Sequence, residues 1–195
     1  MTSAFRLMSM SRASRATWAR RCNEVVYASD SPNKTFPVVV IPKGPDRTLR
    51  ALAYAHAHYK NDADWFFKVE DNTFVVVENL RYLLSQYDAS QPLLLGNPWN
   101  ERRNELDGGP INSGGLSREA MERVLNLTSN GECKPRDMVD CNRIAGLTVV
   151  DTTDAQGRDL FSTYMYQDGK LEKVCISLVC INFSIGLTFR CDCRA

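Results

Sequence analysis

The sequence predicts an α/β fold, a mostly parallel sheet with helices on both faces, and three observations carry that reading. Four short runs, residues 23–28, 36–41, 65–69 and 93–96, are dense in β-branched, aromatic and aliphatic side chains and too short for ordinary helices. Between them, apolar residues recur at spacings of three and four, the period that gives a helix one buried stripe. Strand and helix therefore alternate, as crossovers between parallel strands require. At 195 residues the chain has the size of one domain with room for a full core.

From the N-terminus, residues 1–10 are expected to be disordered and residues 11–163 to form the domain. Residues 11–22 read as a basic helix that ends near Cys22, with Trp18 as its largest buried group. Arg20 and Arg21 lie either near a bound diphosphate or on a solvated helix face. The run 36–41 closes at Pro42, which cannot donate to a strand ladder. Pro45-Asp46 opens a helix whose Leu49, Leu52, Ala53, His56 and Tyr59 form one stripe. His56 and His58 are the chain's two histidines, and on that helix they read as packed or surface groups rather than metal ligands.

Val76, Leu80, Leu83, Leu84 and Tyr87 define the next helix, and Gln91-Pro92 precedes the strand at 93–96. Residues 97–112, with Gly108-Gly109-Pro110, read as a surface loop. Ser117 caps a helix running to Leu127 with Ala120, Met121, Val124 and Leu125 inward. Cys133 comes next, close enough in sequence to Cys141 for a disulfide, and residues 147–150 supply another strand. Residues 164–195 form a divergent tail with a strand expected where Ile181, Phe183, Ile185, Leu187 and Phe189 alternate with small or polar residues. The uncharged run 174–189 is too short and polar for a membrane span. Cys191-Asp192-Cys193 lacks partners at zinc spacing and reads as a disulfide or free thiols.

The domain is organised around the run Trp65 to Val69 and the polar turn at its end. That buried run stops at two carboxylates and an amide, Glu70, Asp71 and Asn72. In open α/β sheets ligands dock beyond the carboxyl ends of the strands. Oxygen ligands there suit Mg²⁺ or Mn²⁺ bridging to a diphosphate. A plain helix start uses the same residue types, because acids are favoured by the free N–H groups and the dipole. From the residues alone Asp137 reads as a helix-start aspartate capping Val139 and Asp140, and Gly114-Gly115 is either a loop or a place of close backbone approach.

Composition narrows the setting. A net charge of +1 leaves no footprint for nucleic acid. Seven cysteines and the sequons at Asn33, Asn126 and Asn182 lean towards a secretory-pathway lumen, and the odd cysteine count leaves a thiol unpaired within the chain. Residues 1–16 lack the apolar core of a cleavable signal peptide; their arginines and serines without an acid also fit an organellar transit segment.

Several stretches taken together resemble the fringe-like β1,3-glycosyltransferases, and most closely the core 1 β1,3-galactosyltransferases (T-synthases). Ala16-Thr17-Trp18-Ala19-Arg20-Arg21-Cys22 is similar to the start of that family's catalytic domain. The family's strand ends in three aspartates, then Thr, an aromatic residue and a helix with Glu-Asn-Leu-Arg. Here the match is Glu70-Asp71-Asn72-Thr73-Phe74, then Glu78-Asn79-Leu80-Arg81. Ser113-Gly114-Gly115 and Leu116-Ser117-Arg118-Glu119-Ala120 match the family's glycine segment and helix start, with a few intervening residues missing. Arg136-Asp137-Met138 matches its Glu-Asp-Val/Leu, and residues 153–161 resemble a Gly-x-Asp/Glu-x-Phe segment.

The resemblance implies a GT-A-like nucleotide-sugar-binding fold, incomplete here, and an inverting galactosyltransferase. UDP-galactose would be the donor and an O-GalNAc glycoprotein the acceptor. Asp137 would be the catalytic base, Asp71 and Asn72 the ligands of Mn²⁺, and Glu70, Asp71, Ser113, Gly114 and Gly115 the donor contacts. Asn72 brings no charge where the family has its third acid, so the metal site is weakened. Arg136 should lower the Asp137 pKa and make it a weaker base. The family's disulfide after the glycine-segment helix corresponds to Cys133–Cys141, its second cysteine displaced by two positions. Its distal metal-binding histidine has no counterpart after His58. Family members are type II Golgi membrane proteins; no anchor is present in this chain, so a fragment, a truncated gene model or a divergent copy is expected. Contact with a membrane would then need an upstream anchor, and oligomers are compatible. The replaced acids also fit a catalytically inactive relative acting as a chaperone or partner of such a transferase.

Overall fold

The structure, a computed structural model, describes residues 4–44, 46–69, 73–96, 114–133, 138–152, 160–161, 165–167, 170–172 and 178–182. Helix α1 (Ala4–Ala16) and a 3-10 turn (Ala19–Arg21) lead into β1 (Glu24–Ser29). Next come β2 (Val39–Val40), α2 (Arg47–Tyr59), β3 (Trp65–Val69), α3 (Val77–Leu84) and β4 (Leu93–Gly96). They are followed by β5 (Gly114–Ser117), α4 (Arg118–Ser129), α5 (Met138–Ile144) and β6 (Thr148–Val149). Last are β7 (Met165–Gln167) and β8 (Lys170–Glu172), an antiparallel pair of their own, and β9 (Leu178–Asn182).

The main sheet has the order β2-β1-β9-β3-β5-β4-β6. β1 is parallel to β2 and β4 to β6, whereas β9 runs antiparallel to β1 and β3, and β5 antiparallel to β3 and β4. Strands β1, β2, β3, β4 and β6 thus share one direction, and β5 and β9 run back between them. The expected direction holds for most strands, but most hydrogen-bonded neighbours are antiparallel. β5 escaped the periodicity because it opens on two glycines, whereas β9 overlaps the start of the tail strand expected from Ile181 onward, whose residues beyond 182 lie outside the described ones.

Period-two alternation along β3 builds both layers of the core. Phe66 joins Val26, Leu94 and Leu116 of the sheet with Leu52 and Ala55 of α2 and Ala120 and Met121 of α4. Trp65 and Phe67 face the other way, with Leu93, Leu95 and Leu80, Leu83 and Leu84 of α3. Helices therefore cover both faces, and all five β3 residues are buried. Full burial of each large apolar side chain contributes roughly 1.5–3 kcal/mol, so this strand is a large share of the core.

Local differences from the sequence reading have physical causes. The first helix begins at Ala4, inside the segment expected to be disordered, because residues 5–8 are ordinary helix formers with no breaker before Ala16. The run 36–41 yields only the two residues of β2, since Pro37 lacks an N–H and Phe36 packs edge-on against Tyr27 instead. The buried face of α2 is Leu49, Ala51, Leu52 and Ala55, rotated from the expected stripe, and leaves His56 at its margin. In the tail, β9 pairs on both edges, so this segment belongs to the main sheet.

Two polar arrangements join β3, β4, β5 and α4. The fully buried Ser117 hydroxyl donates to Gln91 O at 2.6 Å and accepts from Leu93 N at 3.0 Å and Ala120 N at 3.1 Å. One hydroxyl thus caps α4 and locks β5 to the start of β4. Beside it the buried Asp64 carboxylate pairs with Arg118, whose backbone N–H also donates to Asp64 O. Ser117→Ala should lower stability by about 2–3 kcal/mol, a lost cap plus buried backbone groups without partners. A melting curve within ~1 °C of wild type, a shift far below ~4 °C, would contradict this.

Burial lowers the His56 pKa below its ordinary 6.5, with Glu122 of α4 (Nε2 to Oε1 3.8 Å) acting to raise it, Lys60 to lower it, and the Phe66 ring beside it. Above about pH 6.5 the ring is neutral in both folded and unfolded chains and contributes nothing. As pH falls further the unfolded chain takes up the proton first, so stability drops. The melting temperature should therefore decline from about pH 7 to about pH 5 less steeply in His56→Gln than in wild type; equal slopes would show that this ring does not resist protonation.

Candidate functional site

The carboxyl ends of β1, β2, β3, β4 and β6 meet at one edge of the sheet, where β5 and β9 begin. Lys68 of β3 is in register with Gly114 of β5, and Gly96 of β4 with Gly114 from the other side. This is the edge at which open α/β sheets bind ligands. Glu70, Asp71 and Asn72 continue from Val69, Ser113 directly precedes Gly114, and Asp137 directly precedes α5. These five residues lie outside the described ones; what is described is the frame from which each departs. Chain continuity brings the glycine segment beside the end of β3.

That frame is braced on both sides of the acidic stretch. Trp18 shares one core cluster with Val69, the last residue before Glu70, and with Val77, the first of α3. Arg21 makes a two-pronged ion pair with Glu78, its Nη1 2.9 Å from Oε1 and 3.0 Å from Oε2. Arg81 donates to Arg21 O at 2.7 Å and to Asn23 Oδ1 at 3.1 Å. The Ala-Thr-Trp-Ala-Arg-Arg-Cys and Glu-Asn-Leu-Arg segments are thus two halves of one clamp. Arg21 spends its charge on this clamp; Arg20 is exposed on the other side of the turn. Sequence spacing alone could not pair Arg21 with Glu78 across 57 residues.

The rim holds one more charged group that the sequence reading passed over. At the end of β1, Asp30 pairs with Lys43 at 3.0 Å, and Arg47 donates to Ala28 O at 3.4 Å. The hydrogen bond from Lys43 holds the Asp30 carboxyl below its ordinary range. At the end of β4, Gly96 has φ of 129°, which L side chains rarely adopt, so the chain can leave the sheet there.

The glycine pair has a structural use as well as any ligand role. Gly115 stands opposite Phe67, and a Cβ built on it would lie 2.4 Å from the Phe67 ring. The ring therefore rests on bare backbone, and it also stacks with Phe161 at 6.0 Å. Gly114 is buried at the strand's first position, the nearer of the two to the crevice.

Helix α5 is fixed by the expected disulfide, Cys133–Cys141, with a Cα separation of 5.4 Å. Both cysteines, with Ala145, Val124 and Leu49, form a small core of their own. Cys22 is disulfide-bonded too. The residue after Asp137 thus opens a helix anchored to the loop that comes after α4.

Among the described residues, no three His, Cys, Asp or Glu side chains gather as a metal site. His56 and His58 are accounted for otherwise: one is packed by Phe66 and Glu122, and the other stacks on Tyr54 at 4.0 Å. By their chemistry, the two carboxylates and the amide oxygen at 70–72 are a donor set that could hold a hard divalent cation. No helix among the described residues is long and apolar enough to cross a membrane.

Residues 13–107 match the Fringe-like family model. The chain is 32% identical to glycoprotein-N-acetylgalactosamine 3-beta-galactosyltransferase 1 of Xenopus laevis over 162 residues, 76% of this chain and 44% of that protein. It is 31% identical to beta-1,3-glucosyltransferase of Mus musculus over 133 residues, 64% of this chain and 27% of that one. To chondroitin sulfate synthase 3 of Mus musculus it is 26% identical over 159 residues, 68% and 18%. The chain therefore spans less than half the length of each of these relatives.

Gly115→Ala should destabilise the domain by about 1–3 kcal/mol through overpacking against Phe67. The cost should shrink in a Phe67→Leu background, because the two sites share one space. Equal costs in both backgrounds, measured by urea unfolding, would show that Phe67 is not what excludes the methyl group.

Proposed function

Since the chain belongs to the fringe-like β1,3-glycosyltransferase family, we propose that it is the donor-binding portion of an inverting galactosyltransferase of the secretory pathway, using UDP-galactose to extend O-linked GalNAc on glycoproteins at its 3-hydroxyl. The observation that carries this is positional. The strand preceding Glu70 ends at the sheet's ligand edge, beside the start of the glycine strand. A Golgi location, with an anchor outside this chain, goes with the reading.

In this reading Asp71 and Asn72 hold Mn²⁺, with Glu70 beside them, and the metal supplies positive charge against the donor diphosphate. Ser113, Gly114 and Gly115 face the donor sugar through backbone and hydroxyl groups that need no side-chain bulk. Asp137 accepts the proton of the acceptor hydroxyl as its oxygen bonds to the anomeric carbon, and the bond to UDP breaks on the opposite face, which inverts the configuration. Because Asn72 is neutral and Arg136 precedes Asp137, weak metal affinity and a weak base are expected together.

The test is transfer from UDP-galactose to an O-GalNAc glycopeptide by the full chain with Mn²⁺. Transfer should occur, and Asp137→Asn should reduce it at least ~100-fold, the low end for loss of a general base. Absence of both transfer and donor hydrolysis, or unchanged activity in that variant, would defeat the enzymatic reading. A second reading is supported by Asn72, Arg136 and a Gly115 already occupied by Phe67: a non-catalytic partner of an active transferase. Co-purification with such a transferase, with no UDP bound, would favour it.

A further inference from the structure

Three sequons stand in the sequence, at Asn33, Asn126 and Asn182, and the fold treats them differently. The Asn33 side-chain oxygen accepts from Thr35 N at 2.9 Å, Thr35 Oγ1 at 3.0 Å and Phe36 N at 3.0 Å, so this amide forms a turn whose Phe36 is buried. Asn182 ends β9, a strand hydrogen-bonded on both edges. Asn126 lies on α4 and is exposed. Its backbone oxygen serves Asn130 N and Ser129 Oγ, while its side-chain amide is engaged in none of the hydrogen bonds seen among the described residues. Thr128, the sequon's hydroxyl residue, sits one position beyond Leu127, and Leu127 packs inward at the margin of the Cys133–Cys141 core. A cleft of about 430 Å³ between α2 and α4, lined by His56, Lys60, Glu122, Leu125, Asn126 and Ser129, opens beside the amide.

We propose that Asn126 is an N-glycosylation site of this protein. The inference rests on the lumenal location that the proposed function entails, but not on catalysis. In the modification, Asn126 Nδ2 bonds to the anomeric carbon of a polyprenyl-diphosphate-linked oligosaccharide. The carbon–oxygen bond to the diphosphate breaks, the lipid diphosphate leaves with the electron pair, and the amide gives one proton to base. No redox change occurs. Transfer acts on the unfolded sequon, and the fold then decides which occupied asparagine is compatible with a packed domain. The glycan projects from the face bearing α2 and α4, opposite α3 and the clamp beyond the acidic stretch.

The test expresses the full chain behind a cleavable secretion signal in eukaryotic cells and measures site occupancy by glycopeptide mass spectrometry on the secreted pool that melts cooperatively. Asn126 should be occupied in most molecules. A glycosidase that frees N-glycans should lower the mass of the Asn126 glycopeptide by one glycan, and Thr128→Ala should abolish that occupancy, with Thr128→Ser restoring it. Asn33→Gln and Asn182→Gln should leave it unchanged. An unoccupied Asn126 in folded protein, or occupancy unchanged in Thr128→Ala, overturns the proposal. Transfer from UDP-galactose is measured on the same Asn126→Gln material and should equal wild type, so loss of the glycan and failure of the enzymatic reading are scored separately.

Discussion

Double burial of β3 governs everything else in the domain. Its five residues are closed off by helices on both faces and by hydrogen-bonded strands on both edges, β9 on one side and β5 on the other. Such a strand excludes unpaired charge, because removing an ion from water without compensation costs more than any single contact returns. The apolar run ends at Val69 and the acids begin at Glu70, so core and ligand edge are divided at one peptide bond. Lys68, buried one residue earlier, is the exception and has an interaction partner.

From that strand the domain spreads by shared side chains. Phe66 ties α2 and α4 to the sheet, Trp65 and Phe67 tie α3, and Val69 with Trp18 ties the N-terminal turn. The Arg21–Glu78–Arg81 clamp then fixes the helix beyond the acidic stretch to the turn that precedes β1. Its Arg21–Glu78 ion pair is solvent-facing and contributes at most about 1 kcal/mol, so the clamp's value is positional more than energetic. Ser117 performs the same service on the other flank with one buried hydroxyl.

How much of this was legible depends on the range of each signal. Strands β3 and β4, and the cap at Ser117, were readable because they are local patterns of side-chain size and polarity. Of the two readings of Gly114-Gly115, a loop or a close backbone approach, Gly115 in β5 takes the second, but against a ring on another strand that no local pattern names. The shift of α2's buried face from Ala53 to Ala51 and Ala55 follows from what the helix meets, Ala28 and Ile41 for Ala51 and the Phe66 cluster for Ala55, which no single-helix period encodes. The pairing of β9 between β1 and β3 is a contact of long range, invisible to any window. At the site, the positions of Gly114 and Gly115 are described, while Glu70, Asp71, Asn72, Ser113 and Asp137 lie beyond the described residues and rest on chemistry and family.

A nucleotide's diphosphate held by a divalent ion at the end of β3 is the premise of the whole functional reading. Isothermal titration of UDP into the full chain, with and without Mn²⁺, puts it to the sharpest test. Measurable binding is expected with Mn²⁺, at least ~10-fold weaker without it or in Asp71→Asn, a difference of about 1.4 kcal/mol. Binding that ignores both the metal and Asp71, or no binding at all, would contradict it.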